Sequence, residues 1–157
     1  LPRGCLARVV VGHCDIGPHG SGATVAEVDT RGETVRRYMA AFATGDPDAV
    51  AACVTDDFVN EHLSGLGSGC MGRFEYRRRL ADFLSTFVDA RYEIVTLAEI
   101  STPGAGDAVV RYRFHATYDD TPIDIPGVMW FDVRDGLVAH RTDLWDSLTF
   151  LRQTGQM

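Results

Sequence analysis

A hairpin signal near the end of the chain constrains the fold more than any other feature. An apolar run over residues 128–133 leads into Asp135-Gly136, the dipeptide most typical of a two-residue β-turn, and a second strand follows over residues 137–145. Asp143 lies near the end of that strand, next to Leu144 and Trp145. A carboxylate among bulky apolar groups is costly unless it is paired or used, so Asp143 is the first functional candidate.

Helical patterns precede the strands. Thr30-Arg-Gly-Glu33 is a capping box, and Asp46-Pro47 predicts an N-cap with proline at the first helical position. A third helix is predicted over residues 73–87. Apolar side chains recur at helical spacing in the first and third helices, namely Val35, Tyr38, Met39 and Phe42, and Leu80, Phe83, Leu84 and Phe87.

Strands follow the third helix. Residues 91–100 and 108–118 alternate in polarity, whereas residues 119–127, with Pro122 and Pro126, are predicted to form a loop. Helices followed by consecutive strands indicate an α+β domain, with a curved antiparallel sheet and helices on one face.

Size and charge exclude several classes of function. The chain has 157 residues, which is typical of one domain, and its net charge of −7 disfavours a nucleic-acid partner and an anionic membrane. All fifteen basic residues are arginine, so lysine-dependent Schiff-base, pyridoxal phosphate and P-loop chemistry is excluded. General acid–base work falls to Asp, Glu, His, Tyr or Cys.

The first 28 residues are glycine-rich and irregular, and we predict an arm over 1–28 and a single domain over 29–157. The spacing of Cys5, Cys14, Cys53 and Cys70 matches no paired metal-binding pattern, which favours reduced thiols in a cytoplasmic protein and no metal. No run approaches the length of a membrane span.

Two polar segments flank the third helix. Residues 64–72 contain four glycines and lack the lysine of a P-loop, so a mobile loop at a pocket rim is favoured over a phosphate cradle. Arg77-Arg78-Arg79 is assigned to the solvated side of the helix, with binding of a substrate anion as the alternative.

A candidate site combines two strands. Asp143 shares a face with Arg141, and Arg113 shares a face with His115 on the long strand before it. If both strands line the concave side of one curved sheet, Asp143, Arg113 and His115 converge on an apolar cavity. Its walls come from four helical aromatic residues, Tyr38, Phe42, Phe83 and Phe87.

Several of these residues can have a structural role instead of a functional one. Asp143 can instead pair with Arg141 or Arg113, and His115 and His62 can be ordinary hydrogen-bonded histidines. Two further polar residues have mainly structural predictions: His140 faces away from Asp143, and Asp146 caps the last helix. Trp130 and Trp145 are predicted to lie in the core or the pocket wall.

The layout resembles the nuclear transport factor 2-like superfamily over residues 30–153. The helical pattern from Val35 to Phe42, with Gly45-Asp46 and Asp56-Asp57-Phe58 after it, is typical of how the superfamily begins. The tail, Asp135-Gly-x-x-x-His-Arg-x-Asp-x-Trp-Asp146, resembles that of the SnoaL-like polyketide cyclases and limonene-epoxide hydrolases. The resemblance implies three N-terminal helices on the concave face of a cone-shaped sheet, a short C-terminal helix and a homodimer.

The resemblance also assigns roles. Asp143 matches the acid that activates water in the epoxide hydrolases, but Arg113-Phe114-His115 replaces their second acid with histidine, and Asn60-Glu61-His62 replaces their water-holding Tyr-x-Asn. The sequence therefore favours proton transfer without a cofactor, as in the ketosteroid isomerases and polyketide cyclases. Asp143 is the expected base, His115 or His62 its partner, Arg113 orients charge, and Asn60 binds substrate or water.

The expected substrate is a hydrophobic small molecule of steroid or polyketide size, contacted by Trp130, Trp145 and the aromatic walls. Epoxide hydrolysis and non-catalytic binding of a small molecule are the alternatives. A histidine a few ångströms from Asp143 across a deep cavity favours catalysis. A tight salt bridge that neutralises Asp143, with His115 pointing outward, favours binding.

Overall fold

The structure, a computed structural model, describes residues 30–157. The predicted arm over 1–28, with Cys5 and Cys14, lies outside the described residues. The elements in chain order are α1 (Arg31–Ala41), a 3-10 turn (Phe42–Thr44), α2 (Pro47–Ala51), β1 (Val54–His62), β2 (Cys70–Met71), α3 (Arg73–Thr86), β3 (Phe87–Glu99), β4 (Ala108–Tyr118), β5 (Thr121–Arg134), β6 (Leu137–Trp145) and α4 (Ser147–Gln153).

The helix signals in the sequence are confirmed. Thr30 accepts the backbone N–H of Glu33, and the Glu33 side chain accepts that of Thr30, so both halves of the capping box form. Asp46 caps α2 ahead of Pro47. The predicted apolar face of α1 is buried in the core, as are Tyr76 and Leu80 of α3.

The sheet has six strands in the order β2-β1-β6-β5-β4-β3. The sheet is curved. It is also mixed, because β1 pairs with β6 in parallel while every other neighbouring pair is antiparallel. The prediction of an antiparallel sheet is therefore wrong at one pairing. A parallel pair needs a long crossover between its strands, and here the segment between β1 and β6 contains α3 and four strands. The cone shape implied by the resemblance stays a prediction.

The loop predicted over residues 119–127 is also wrong, because β5 begins at Thr121. The first part of β5 pairs with β4 alone, and the backbone N–H of Asp124 points away from β4 to the Gln153 side chain of α4. Pro122 and Pro126 lie two residues to either side of Asp124, so their nitrogens face the same open edge. Proline is tolerated there because no strand requires its missing N–H.

Two-residue turns join the last three strands. Asp135 and Gly136 both have positive φ (53° and 71°), as the predicted hairpin turn requires. The turn between β4 and β5 uses Asp119 and Asp120 in the same way, with φ of 47° and 60°. These turns fix the strand register, and the register decides which side chains of β4, β5 and β6 share a face.

The two faces of the sheet differ in character. The inner face packs against α1 and α3 and carries the buried core, including Val110, Tyr112, Met129 and Phe131. The outer face carries charged side chains together with partly exposed Trp130 and Leu144. The homodimer implied by the resemblance stays a prediction. Within residues 30–157, no helix is long and apolar enough to cross a membrane.

We predict that Gln153→Leu destabilises the fold by about 1 kcal/mol, because the Gln153 amide accepts the N–H of Asp124 and donates to its carbonyl oxygen. Urea unfolding measures the change. Gln156→Leu is the matched control, since the Gln156 side chain bonds to Thr154, two residues away, and the substitution keeps its backbone N–H. Equal stability of the two variants would contradict the role given to Gln153.

Candidate functional site

A cavity of about 400 Å³ lies between the inner face of the sheet and the helices, within the size range of small-molecule sites. Its walls are mostly aromatic and make edge-on or tilted ring contacts with one another. They include Phe42, Phe83, Phe87, Tyr92, Phe114 and Trp145. Phe42, Phe83, Phe87 and Trp145 lie in the cavity wall as predicted. The prediction that the third helix ends at Phe87 is wrong, because Phe87 is the first residue of β3.

The predicted convergence of Arg113 and His115 with Asp143 is wrong. Arg113 makes a two-pronged salt bridge to Asp124, and His115 lies against Glu93, both on the outer face of the sheet. Their inward neighbours on β4 are Tyr112 and Phe114. The predicted alternation along β4 is confirmed. The face that turns inward is the apolar one, because burying Arg113 and His115 there would leave their charges unpaired.

Two other predicted wall residues lie outside the cavity. Trp130 is 37% exposed on the outer face. Tyr38 is fully buried beneath the cavity floor, where its hydroxyl accepts a hydrogen bond from Arg141. Asn60 and His62, by contrast, line the cavity beside Asp143.

Parallel pairing of β1 with β6 assembles the polar end of the cavity. The register sets Asn60 beside Arg141 and His62 beside Asp143, with all four side chains turned toward the helices. This places a carboxylate, a guanidinium, an imidazole and an amide on two adjacent strands. They are surrounded by aromatic rings, so each interaction among them occurs in a medium that screens charge weakly.

Asp143 is 3% exposed and accepts a hydrogen bond of 2.7 Å at Oδ1 from the Tyr112 hydroxyl. Burial raises the pKa of Asp143, and Arg141 and the Tyr112 hydrogen bond oppose that rise only in part. Burial also raises the pKa of Tyr112, which keeps its hydroxyl protonated as a donor. Asp143 is therefore a carboxyl group whose protonation is easier than that of a surface aspartate.

The proton on His62 can be placed from its neighbours. Arg141 Nη2 lies 3.2 Å from His62 Nε2, and a guanidinium only donates, so Nε2 accepts and the ring proton resides on Nδ1. Asn60 Nδ2, at 3.3 Å, also donates to Nε2. Nδ1 lies 3.8 Å from Asp143 Oδ2, too far for a direct hydrogen bond. Burial, and then the positive charge of Arg141, lower the pKa of His62 to about 4, so the ring is neutral at pH 7.

Arg141 is held by a chain of hydroxyl groups. Its Nη1 donates to Tyr38 Oη at 2.8 Å, and the Tyr38 and Tyr76 hydroxyls lie 2.6 Å apart. Arg141 is fixed in this way within the protein interior, and no carboxylate of the described residues lies within salt-bridge distance of it.

Three buried polar atoms of cavity-lining residues have no hydrogen-bond partner: Asn60 Oδ1, His62 Nδ1 and Arg141 Nε. Native structures rarely leave such atoms unpaired, so each indicates a position that a ligand group can satisfy. The set offers two donors and one acceptor, with the second oxygen of Asp143 beside them. A small oxygen-containing group matches this pattern.

The glycine-rich loop between β1 and β2 covers the polar end. Gly67 lies directly on His62, since a Cβ at position 67 would be 2.4 Å from His62 Cβ. Ser64 anchors the loop to the backbone of Trp145, and Arg79 donates to Ser68 and to the carbonyl oxygen of Gly69. The loop lies at the rim of the cavity as predicted, and Arg79 is bonded to it while also pairing with Glu75.

Four further predicted positions hold, those of His140, Asp146, Arg77 and Arg78. Arg79, predicted on the solvated side of α3 with them, instead lines the cavity. His140 faces away from Asp143 and lies 3.2 Å from Glu61, and Asp146 caps α4 by accepting the N–H of Thr149. Arg77 pairs with Asp48 and Arg78 with Glu75 on the solvated side of α3. No group of three or more His, Cys, Asp or Glu side chains in the described part of the chain is placed to hold a metal ion.

Sequence reasoning missed Tyr112 and did not assign Arg141 to the site. A signal for Tyr112 exists, because it belongs to the apolar face of β4, the face expected to turn toward the core. A signal for Arg141 exists too, because it shares the face of Asp143. The Arg141–His62 contact depends on the parallel pairing of β1 and β6, which no local pattern indicates.

Comparisons with known proteins agree with the fold. The profile of the SnoaL-like domain matches residues 35–141. A protein with a ketosteroid isomerase-like fold from Catenulispora acidiphila, solved with trimethylamine, superposes with a TM-score of 0.70 at 16% identity, over 81% of this chain and 95% of that one. A search of curated proteins gave no match.

Two further solved structures share the fold. One, described as a candidate polyketide cyclase from Pseudomonas putida, has a TM-score of 0.64 at 18% identity and covers 80% of this chain and 98% of that one. The other, an epoxide hydrolase of the limonene-epoxide hydrolase-like type from M. tuberculosis, has a TM-score of 0.60 at 19% identity, over 78% and 87%. At these identities the three structures show a shared fold.

We predict that His62 carries its proton on Nδ1 and stays neutral as the pH falls from 7 to 5, because its pKa is lowered to about 4. Nitrogen NMR of the histidine rings reads both the tautomer and the titration, and the His62→Gln variant identifies the signal. Protonation of His62 near its ordinary pKa of about 6.5, or a proton on Nε2, would contradict the geometry.

Proposed function

The chain belongs to the SnoaL-like domain family, and we propose that it is a cofactor-independent acid–base enzyme that acts on an apolar small molecule. The observation that carries the proposal is Asp143, a buried carboxylate of raised pKa with a neutral histidine 3.8 Å away in an aromatic cavity. A base of raised pKa in a dry site is suited to removing a weakly acidic proton near neutral pH.

The proposed reaction begins at a carbon next to a carbonyl group. Asp143 Oδ2 takes the proton, the C–H bond breaks, and its electron pair forms the double bond of an enolate. The enolate oxygen accepts hydrogen bonds from His62 Nδ1–H and Arg141 Nε–H, the two donors without partners. Donors already oriented toward a developing negative charge lower the barrier because they need no rearrangement.

The second step returns the proton or uses the carbanion. Protonated Asp143 delivers the proton to a different carbon in an isomerisation. In a cyclisation the enolate carbon attacks a second carbonyl, whose π electrons move to its oxygen, and the alkoxide that forms takes the proton from Asp143. His62 acts here as a hydrogen-bond donor rather than as an acid, because its only ring proton is on Nδ1 and its loss would create an imidazolate. Asn60 holds the ring by donating to Nε2.

The aromatic walls support an apolar substrate of steroid or polyketide bulk. The isomerase-like and polyketide cyclase names of the structural neighbours are consistent with enolate chemistry in such a cavity. The raised pKa of Asp143 depends on the same walls, because they exclude water from the carboxylate. The aromatic walls therefore have two effects: they favour an apolar substrate, and they raise the pKa of Asp143.

Epoxide hydrolysis is the second candidate. One water molecule could donate to Asp143 and Asn60 Oδ1 while accepting from His62 Nδ1–H, and a neighbour of the same fold is an epoxide hydrolase of the limonene-epoxide hydrolase-like type. Opening an epoxide also needs an acid to protonate the leaving oxygen. Asp143 is the one carboxyl group among the described residues that line the cavity, which ranks hydrolysis below proton transfer.

Non-catalytic binding has partial support. His115 points outward, which is one of the two features expected of a binding protein. The other, a tight salt bridge to Asp143, does not occur among the described residues. No arginine among them lies within salt-bridge distance of Asp143, and His62, at 3.8 Å, is neutral at pH 7.

We predict that Asp143→Asn lowers turnover by at least about a hundredfold while the fold is kept, because the amide oxygen still accepts from Tyr112 but no longer takes a proton. The probes are β,γ-unsaturated cyclic ketones in deuterium oxide, with isomerisation and deuterium incorporation followed by NMR, and limonene epoxide in isotope-labelled water.

Asp124→Asn is the matched control, since Asp124 pairs with Arg113 on the outer face and its loss should leave turnover unchanged. Turnover of a ketone probe by Asp143→Asn at the wild-type rate would refute the proposal. Hydrolysis of the epoxide alone would support the second candidate, and binding of the ketones without turnover by the wild-type protein would support a carrier.

A further inference from the structure

We infer that Gly127 is a positioning residue for Asp143: its missing side chain leaves the space in which the Tyr112 ring crosses β5 to hold one oxygen of the carboxylate. The inference rests on the proposed function in that it treats Asp143 as the base. It adds a residue that lies outside the cavity lining and contacts neither a substrate nor the reacting atoms.

The strand register creates the need for this space. Tyr112 on β4 is the direct partner of Gly127 on β5, whereas Asp143 lies on β6, one strand farther away. Strands in a sheet are about 4.8 Å apart, so β4 and β6 are separated by about 10 Å. The Tyr112 side chain must therefore lie across β5 to place its hydroxyl 2.7 Å from Asp143 Oδ1.

Gly127 is where the ring crosses. A Cβ at position 127 would lie 2.3 Å from the Tyr112 hydroxyl oxygen and 2.4 Å from ring carbon Cζ. Atoms do not approach so closely, so any side chain at 127 would displace the ring. The φ angle of Gly127 is not in the left-handed region, unlike those of the turn glycines. Glycine is required at 127 for space rather than for backbone conformation.

The consequence for Asp143 is that its two oxygens differ. Tyr112 occupies Oδ1, and Oδ2 is left facing Nδ1 of His62. A fixed hydrogen bond at Oδ1 also favours the ionised carboxylate, which limits the rise in pKa that burial causes. Gly127 thus acts, through Tyr112, on both the orientation and the proton affinity of the base.

Other groups around Asp143 also influence its titration. Arg141 lies two residues away on β6, His62 faces it from β1, Tyr92 from β3 and Tyr38 from α1. The three atoms nearest to a Cβ built at position 127 all belong to Tyr112. A substitution at 127 is therefore expected to alter Asp143 through Tyr112.

The test compares Gly127→Ala, Tyr112→Phe and their double variant by carbon NMR titration of the Asp143 carboxyl, whose signal is identified by its loss in Asp143→Asn. We expect the pKa of Asp143 to rise in both single variants, and no further in the double variant. The acid limb of the kcat/KM profile on the ketone probe should move to higher pH, with kcat/KM at a given acidic pH reduced roughly tenfold, as for loss of one hydrogen bond to a charged group.

Gly65→Ala is the matched control, because a Cβ at position 65 meets nothing within 4 Å and Gly65 does not line the cavity. It should leave the Asp143 titration unchanged. An unchanged Asp143 pKa in Gly127→Ala, or in Tyr112→Phe, would overturn the inference. An upward shift in both, with no turnover of any probe by the wild-type protein, would uphold the positioning role and refute the catalytic one.

A stability measurement covers the case in which Gly127→Ala folds poorly. The substitution should lower stability strongly when residue 112 is tyrosine, because the ring and the new methyl group overlap. It should cost little in a Tyr112→Leu background, where the shorter side chain leaves room for the methyl group. Equal costs in the two backgrounds, from urea unfolding, would show that Gly127 does not accommodate Tyr112.

Discussion

The parallel pairing of β1 with β6 is the interaction on which the site depends. It sets Asn60 beside Arg141 and His62 beside Asp143, and so gathers the polar groups of the cavity on two adjacent strands. Each of these groups influences the protonation of its neighbours. Arg141 donates to His62, which places the histidine proton on the side of Asp143, and burial of the whole group raises the pKa of the carboxyl and lowers that of the imidazole.

The remainder of the fold keeps this polar group dry and fixed. The aromatic side chains of α3 and β4 exclude water, and the Tyr38 and Tyr76 hydroxyls hold Arg141 from below. From above, the loop that carries Gly67 lies directly on His62. A buried charge is stable only with such partners, so the same contacts that make the site suited to proton transfer also account for the burial of Arg141 and Asp143.

Local patterns in the sequence were enough for the helices, their caps, the Asp135-Gly136 hairpin and the identity of Asp143 as a buried acid. They were not enough where the structure depends on how strands far apart in the sequence pair with one another. Alternation along β4 separated Arg113 and His115 from Tyr112 and Phe114, but only the packed sheet shows that the tyrosine face turns inward. The prolines of β5 indicated a loop, because the sequence does not reveal that they face an edge capped by Gln153.

A crystal structure with a bound naphthol tests the central claim most directly, because a naphtholate resembles an enolate fused to an apolar ring system. The account predicts that the naphthol oxygen lies within hydrogen-bond distance of His62 Nδ1 and Arg141 Nε. Asp143 Oδ2 should face the ring carbon next to that oxygen, with the rings against the aromatic walls. A naphthol that binds with its oxygen toward the rim of the cavity, or outside the cavity, would contradict the account.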